Sequence, residues 1–88
     1  MTDELNQRPC CYILTIFDPV ETCMALMHFF TKRSVTITNL QYQVVEPNKA
    51  ILIVYVHISR DRLNYITSLL KQNALIGSVE LLEGREIK

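Results

Sequence analysis

Glycine is nearly missing from this sequence. Only Gly77 and Gly84 are present, both near the end of the 88-residue chain. No glycine-rich loop can therefore cradle a phosphate, which excludes P-loop and dinucleotide-binding motifs. An excess of either charge is also missing. Nine Lys and Arg balance nine Asp and Glu, and the sequence pI is about 6.7. Nucleic-acid binding draws on phosphate neutralisation, so a neutral chain without a basic run argues against it. No apolar run approaches the roughly 18–20 residues that span a bilayer. The first residues, MTDELNQRP, are polar and acidic and do not form a secretory leader, so the expected location is the cytoplasm. The cysteines are Cys10, Cys11 and Cys23. An odd count with two adjacent is a poor disulfide framework, and no CxxC or Cys/His spacing points to a metal. Buried, reduced thiols are expected.

Apolar residues are plentiful, at 49% against 20% charged. A domain this small buries only about 60–65% of its unfolded-chain surface. The apolar surplus points to burial against a partner. Length and composition predict residues 1–9 as a loose tail and residues 10–88 as one domain.

Cys10 to Phe17 (CCYILTIF) has the length and β-branched content of a strand. Ile13, Leu14 and Ile16 make both phases apolar, as in a strand covered on both faces. Asp18 to about Lys32 reads as a helix. Asp18 is the expected N-cap, Pro19 suits the first helical position, and Glu21 completes a capping box. Cys23, Leu26, Met27 and Phe30 recur at helical spacing and are expected to face the core. Val20, Met24 and Phe29 widen that stripe, so this helix is expected to touch more than its own sheet.

Ser34 to Glu46 (SVTITNLQYQVVE) alternates but changes phase, Val35 and Ile37 on one parity, Leu40, Tyr42 and Val44 on the other. Side chains of a regular strand alternate strictly, so a β-bulge is expected near Thr38-Asn39. Pro47-Asn48-Lys49 is a turn, and Ala50 to Ile58 (AILIVYVHI) is the most apolar strand. Ser59 starts a second helix reaching about Gln72, with Asp61 in its first turn and a stripe of Leu63, Ile66, Leu69 and Leu70. Ser78 to Ile87 reads as a last strand, with Gly84 a bulge or break.

The order β-α-β-β-α-β predicts an α+β, ferredoxin-like βαββαβ sandwich: a four-stranded antiparallel sheet with two helices on one face. Ile51, Ile53 and Tyr55 would then form an apolar patch on the uncovered face. The fold hosts many functions, so function must come from residues. The third strand offers only Tyr55 and no glycine-aromatic pattern, unlike an RNA-recognition module. The first loop, Asp18-Pro19-Val20-Glu21, has neither the cysteine pair of a metallochaperone nor the glycine and arginine of an acylphosphatase. His28 and His57 have no nucleophile beside them in sequence. No catalytic residue is expected, and the chain is not expected to be an enzyme by itself.

The element order resembles that of an ACT domain, a module that commonly senses amino acids. More narrowly, LTIFDPVETCMALMHFFTKRSVTITNLQY resembles the first half of the short, single-ACT small regulatory subunit of acetolactate synthase (acetohydroxyacid synthase). That family reads strand, then N-x-P-G-x-L or N-P-E-T, then helix, then R-R-G-F-x-I-x-S-L. Lys32-Arg33-Ser34-Val35-Thr36-Ile37-Thr38-Asn39-Leu40 tracks the last motif, and Asp18-Pro19 with Glu21-Thr22 tracks the loop with Val20 inserted. The resemblance implies a non-catalytic regulatory subunit in branched-chain amino-acid (valine, leucine, isoleucine) biosynthesis. Its partner would be the large subunit, which carries thiamine diphosphate, magnesium and FAD; this chain would hold no cofactor. It also implies a homodimer through the sheet edge, with an amino acid at the interface.

In valine-responsive members a loop asparagine, a helix-start glycine and an asparagine of the second motif hold the ligand. The matching positions here are Asp18, Val20 or Glu21, and Thr36. Glu21 would oppose a ligand carboxylate at a cost of roughly 2–4 kcal/mol, which implies weak or no valine binding. The alternative is a free-standing ACT-type sensor or dimeric interaction module, with Asp18, Glu21, Thr22 and Thr36 as contacts. Met24, Phe29, Ile51, Ile53 and Tyr55 are the expected interface residues in either case.

Overall fold

The computed structural model describes residues 7–83. The elements are β1 (Gln7–Phe17), α1 (Pro19–Lys32), β2 (Thr36–Glu46), β3 (Lys49–Ser59), α2 (Arg60–Lys71) and β4 (Ile76–Glu83). The strands form one sheet in the order β2-β3-β1-β4, and each neighbouring pair is antiparallel. This is the expected ferredoxin-like arrangement, with each helix crossing over one intervening strand.

Strand periodicity decides where the core lies. β3 alternates without a break: Ala50, Leu52, Val54, Val56 and Ile58 are buried, and the intervening residues are half-buried. Tyr12, Leu14 and Ile16 of β1 share the buried face. Each such side chain contributes about 1.5–3 kcal/mol on burial, so this two-strand column against the helices is the main source of stability. Leu26 and Phe30 of α1 and Leu63, Ile66 and Leu70 of α2 close it; Leu69 is half-buried. β1 is not equally covered on both faces, since Ile13 and Thr15 stay half-exposed. Cys11 is buried on the helix-free face, in register with Tyr55 and Leu82.

The expected tail is shorter than the sequence implied. Gln7 to Pro9 belong to β1, in register with Ser59 to His57. Residues 1–6, Gly84 and the expected strand end at Ile87 lie outside the described residues.

The bulge is where the parity change required it. The β2–β3 register breaks between Ile37 and Asn39, so Ile37 faces with Val56 and Leu40 with Val54. A second irregularity falls between Val44 and Glu46.

Two junctions differ from expectation. Asp18 is the N-cap of α1 but sits in the left-handed region (φ 49°, ψ 63°), and its side chain makes no capping hydrogen bond. A capping box needs an extended N-cap, so it does not form. The Thr22 hydroxyl instead donates to the Phe17 carbonyl, the last of β1. That bond holds Thr22 inward and sets the rotation of the helix. Pro19, Thr22, Leu26 and Phe30 are the buried residues, Cys23 is half-buried, and Met27 is turned outward at 46% exposure.

At the other end, α1 stops in a Schellman motif. Val35 N–H donates to Phe30 O (3.0 Å) and Ser34 N–H to Thr31 O (3.0 Å). Ser34 takes the left-handed position (φ 60°), and Val35 packs into the same core as Phe30.

Candidate functional site

The turn from β1 into α1 places Asp18, Pro19, Val20 and Glu21 at one end of the sheet. Antiparallel pairing brings the β2–β3 hairpin to the same end, since Phe17 lies opposite Lys49. Asp18, Pro19, Val20, Glu21 and Asn48 together line an open hollow of about 330 Å³. Asp18 and Glu21 are exposed, and Pro19 forms the buried floor. The positive end of the α1 dipole favours an anion here, while two carboxylates disfavour one. The side chains present suit a cation or an ammonium group better than a carboxylate.

Two expected contacts are not in this hollow. Thr22 is 2% exposed and faces the core, with its hydroxyl spent on Phe17. Thr36 starts β2 opposite His57, while the hollow lies beside the strand's other end, where Glu46 is opposite Lys49. Measured along β3, the eight residues from Lys49 to His57 separate them, about 26 Å at normal strand rise. Within one chain, Asp18, Val20 and Glu21 are brought together and Thr36 is not.

Of the expected interface residues, Phe29 is already covered. It packs edge-on against Phe30 (centroids 5.3 Å apart), and the Arg33 guanidinium lies 4.1 Å from its ring centroid. Met24 stands 66% exposed on α1. Ile51, Ile53 and Tyr55 are half-exposed on the opposite, helix-free face, so they form a separate surface from Met24.

A surface legible in the sequence only in part, through Val20 and Met24, lies between α1 and the edge strand β2. Val20 (65% exposed), Met24, Cys23 and Tyr42 surround an apolar hollow of about 190 Å³. Tyr42 and Val44 face the helix side, in register with Leu52 and Ala50, but lie beyond the cover of α1. Burial raises the Cys23 thiol above its ordinary pKa. The signal for this surface was the apolar parity of Leu40, Tyr42 and Val44. Its exposure followed only from β2 being an edge.

Charge separates along the strands. Lys32, Arg33, Arg60 and Arg62 gather at the end where α1 stops and α2 starts, tied by the Arg62 guanidinium donating to the Arg33 carbonyl. Asp61 also lies there. Asp18, Glu21 and Glu46 lie at the opposite end together with Lys49, in register beside Glu46, and Lys71, the last residue of α2. Among the described residues, no group of three His, Cys, Asp or Glu side chains is placed to hold a metal, and no helix is long and apolar enough to cross a membrane.

No family model matches the chain. No curated protein matches it either. Among solved structures, it is similar to the C-terminal domain of the MgtC protein from Mycobacterium tuberculosis, with a TM-score of 0.70 over 94% of each chain. Sequence identity is 10%, so the likeness is one of fold.

Proposed function

We propose that this chain is a non-catalytic regulatory or activating subunit that works by docking. By its resemblance to the short acetolactate synthase small subunit, its target is the thiamine diphosphate-dependent large subunit in the cytoplasm. The observation that carries the reading is the apolar strip of Val20, Met24, Tyr42 and Val44, left exposed along α1 and the unpaired edge of β2. A small domain with its core already closed gains nothing from such a strip unless another chain covers it. The same edge supports a homodimer in which two sheets join.

Valine is not expected to bind well. The loop has no glycine, and Asp18 and Glu21 both stand at the hollow where a ligand carboxylate would lie. Co-purification with an acetolactate synthase large subunit from the same source, assayed with and without valine, tests the reading. Association with raised, valine-insensitive activity is expected. Failure to associate at any concentration used would remove it.

A second reading has one observation in its favour. Asp18, Glu21 and Asn48 offer acceptors to an ammonium group, as an amino-acid sensor would need. Calorimetric titration with valine, leucine, isoleucine and serine decides it, and flat heats with all four would dismiss it.

A further inference from the structure

Five of the seven Lys and Arg side chains among the described residues belong to one end of the sheet: Arg8, Lys32, Arg33, Arg60 and Arg62. Lys32 and Arg33 finish α1, Arg60 and Arg62 begin α2, and Arg8 lies opposite Ile58, two residues before that helix. The carboxylates at this end are Asp61 and Glu83, the latter opposite Cys10. Among the described residues, no ion pair joins them to any of the five cations.

The two helix ends differ in what explains their cations. At the C-terminus of α1 the helix dipole favours Lys32 and Arg33. At the N-terminus of α2 it disfavours Arg60 and Arg62, where an acid or a neutral residue would stabilise the helix more. Local structure therefore accounts for one pair and counts against the other. A binding role accounts for both.

Two of the guanidinium groups are held in place. Arg33 lies over the Phe29 ring and donates to Phe29 O (3.2 Å), and Arg62 donates to the Arg33 carbonyl. A guanidinium carries several N–H groups in a fixed fork, so each keeps donors beyond these bonds. Holding the forks in advance lowers the ordering cost of binding a carboxylate, whose shape they match. Arg8, Lys32 and Arg60 are exposed and leave the surface positive.

We infer that this basic end binds an acidic segment of a partner polypeptide, with carboxylates on the Arg33 and Arg62 guanidinium groups. Charge complementarity selects the occupant. Five cations match a short run of Asp and Glu, whereas a nucleic acid draws its affinity from a longer track of phosphates and the chain as a whole is neutral. This surface is separate from the strip of Val20, Met24, Tyr42 and Val44 and is proposed independently of it.

Fluorescence anisotropy of a labelled decaglutamate peptide, titrated with the full chain at low salt, tests the assignment. Saturable one-to-one binding is expected, weakened by added salt. Arg60→Glu and Lys71→Glu change the net charge equally, at opposite ends of α2. Arg60→Glu is expected to weaken binding by about tenfold without lowering the thermal midpoint, because an acid is favoured at a helix N-terminus. Lys71→Glu is expected to leave binding within about twofold and to lower the midpoint, since it puts an acid at the helix C-terminus. No saturable binding by the wild-type chain overturns the inference, as does an equal loss in the two variants. Tighter binding of a single-stranded DNA decamer or of phosphatidylserine vesicles overturns the choice of occupant. Any of these failures leaves the docking reading to its own co-purification test, which does not use this surface.

Discussion

The Tyr12 hydroxyl, on a side chain with no exposed surface, lies 2.6 Å from the Thr67 hydroxyl and joins the central strand to α2. It places one hydrogen bond at the edge of an otherwise apolar column. Burial is the main reason that the Tyr12 pKa is raised above its ordinary value; the Thr67 bond opposes that shift. Tyr12→Phe removes the bond and keeps the ring that packs 6.0 Å from Phe30. The expected cost is about 1 kcal/mol, read as a lower denaturant midpoint with an unchanged slope. The pH dependence has a definite sign. The folded state holds the phenol proton more tightly than the unfolded state, so this stability is fully present below the ordinary tyrosine pKa. It is lost as pH rises from there through the folded pKa. Tyr12→Phe should flatten that alkaline decline, and an equally steep decline in the variant would count against it.

Ser34 occupies a left-handed position that favours glycine (φ 60°). The acetolactate synthase small-subunit pattern has glycine at the matching place. Ser34→Gly should stabilise the fold by up to about 1 kcal/mol by relieving that backbone. Thermal unfolding should rise by roughly 4–8 °C for each kcal/mol in a domain of this size. A lowered midpoint would mean that the serine side chain makes a contribution larger than the strain.

Thr22→Val keeps the shape of a buried side chain and removes the donor to Phe17 O. Leaving that carbonyl unpaired should cost about 1–3 kcal/mol. Any amino-acid binding should be unchanged, because Thr22 faces the core and not the hollow. A selective loss of binding with full stability would restore Thr22 as a ligand contact.

Glu21→Gly tests what closes the loop. Glu21 is exposed, so the lower end of the charge penalty applies, about 2 kcal/mol. Valine affinity should rise by roughly 30-fold on that basis. Helix stability should fall by up to about 1 kcal/mol from glycine in the first turn. Heats as flat as those of the parent protein would show that the acid is not what excludes the ligand.

Much of the fold was legible because two periodicities carried it. Strict alternation in Ala50 to Ile58 specified β3 and its buried face. The parity break between Ile37 and Leu40 required a bulge, and the register shift is there. The α1 rotation was not legible, because apolarity alone ranks Met27 above Thr22. Thr22 is inside since its hydroxyl meets a carbonyl that the strand-to-helix turn leaves unpaired. The left-handed backbone at Asp18 and Ser34 also escaped notice, because neither is glycine. For the candidate site, adjacency along the chain already sets Asp18, Val20 and Glu21 side by side. The separation of Thr36 from them within one chain follows from the antiparallel course of β2, which only the sheet pairing shows.

The two register breaks in β2 bracket the stretch from Asn39 to Val44. Each bends the strand away from a straight ladder. The exposed edge is therefore a short straight stretch with a bend at either end. A continuous flat edge recruits chain after chain and grows into fibres. The two bends deny this edge the length that such growth needs.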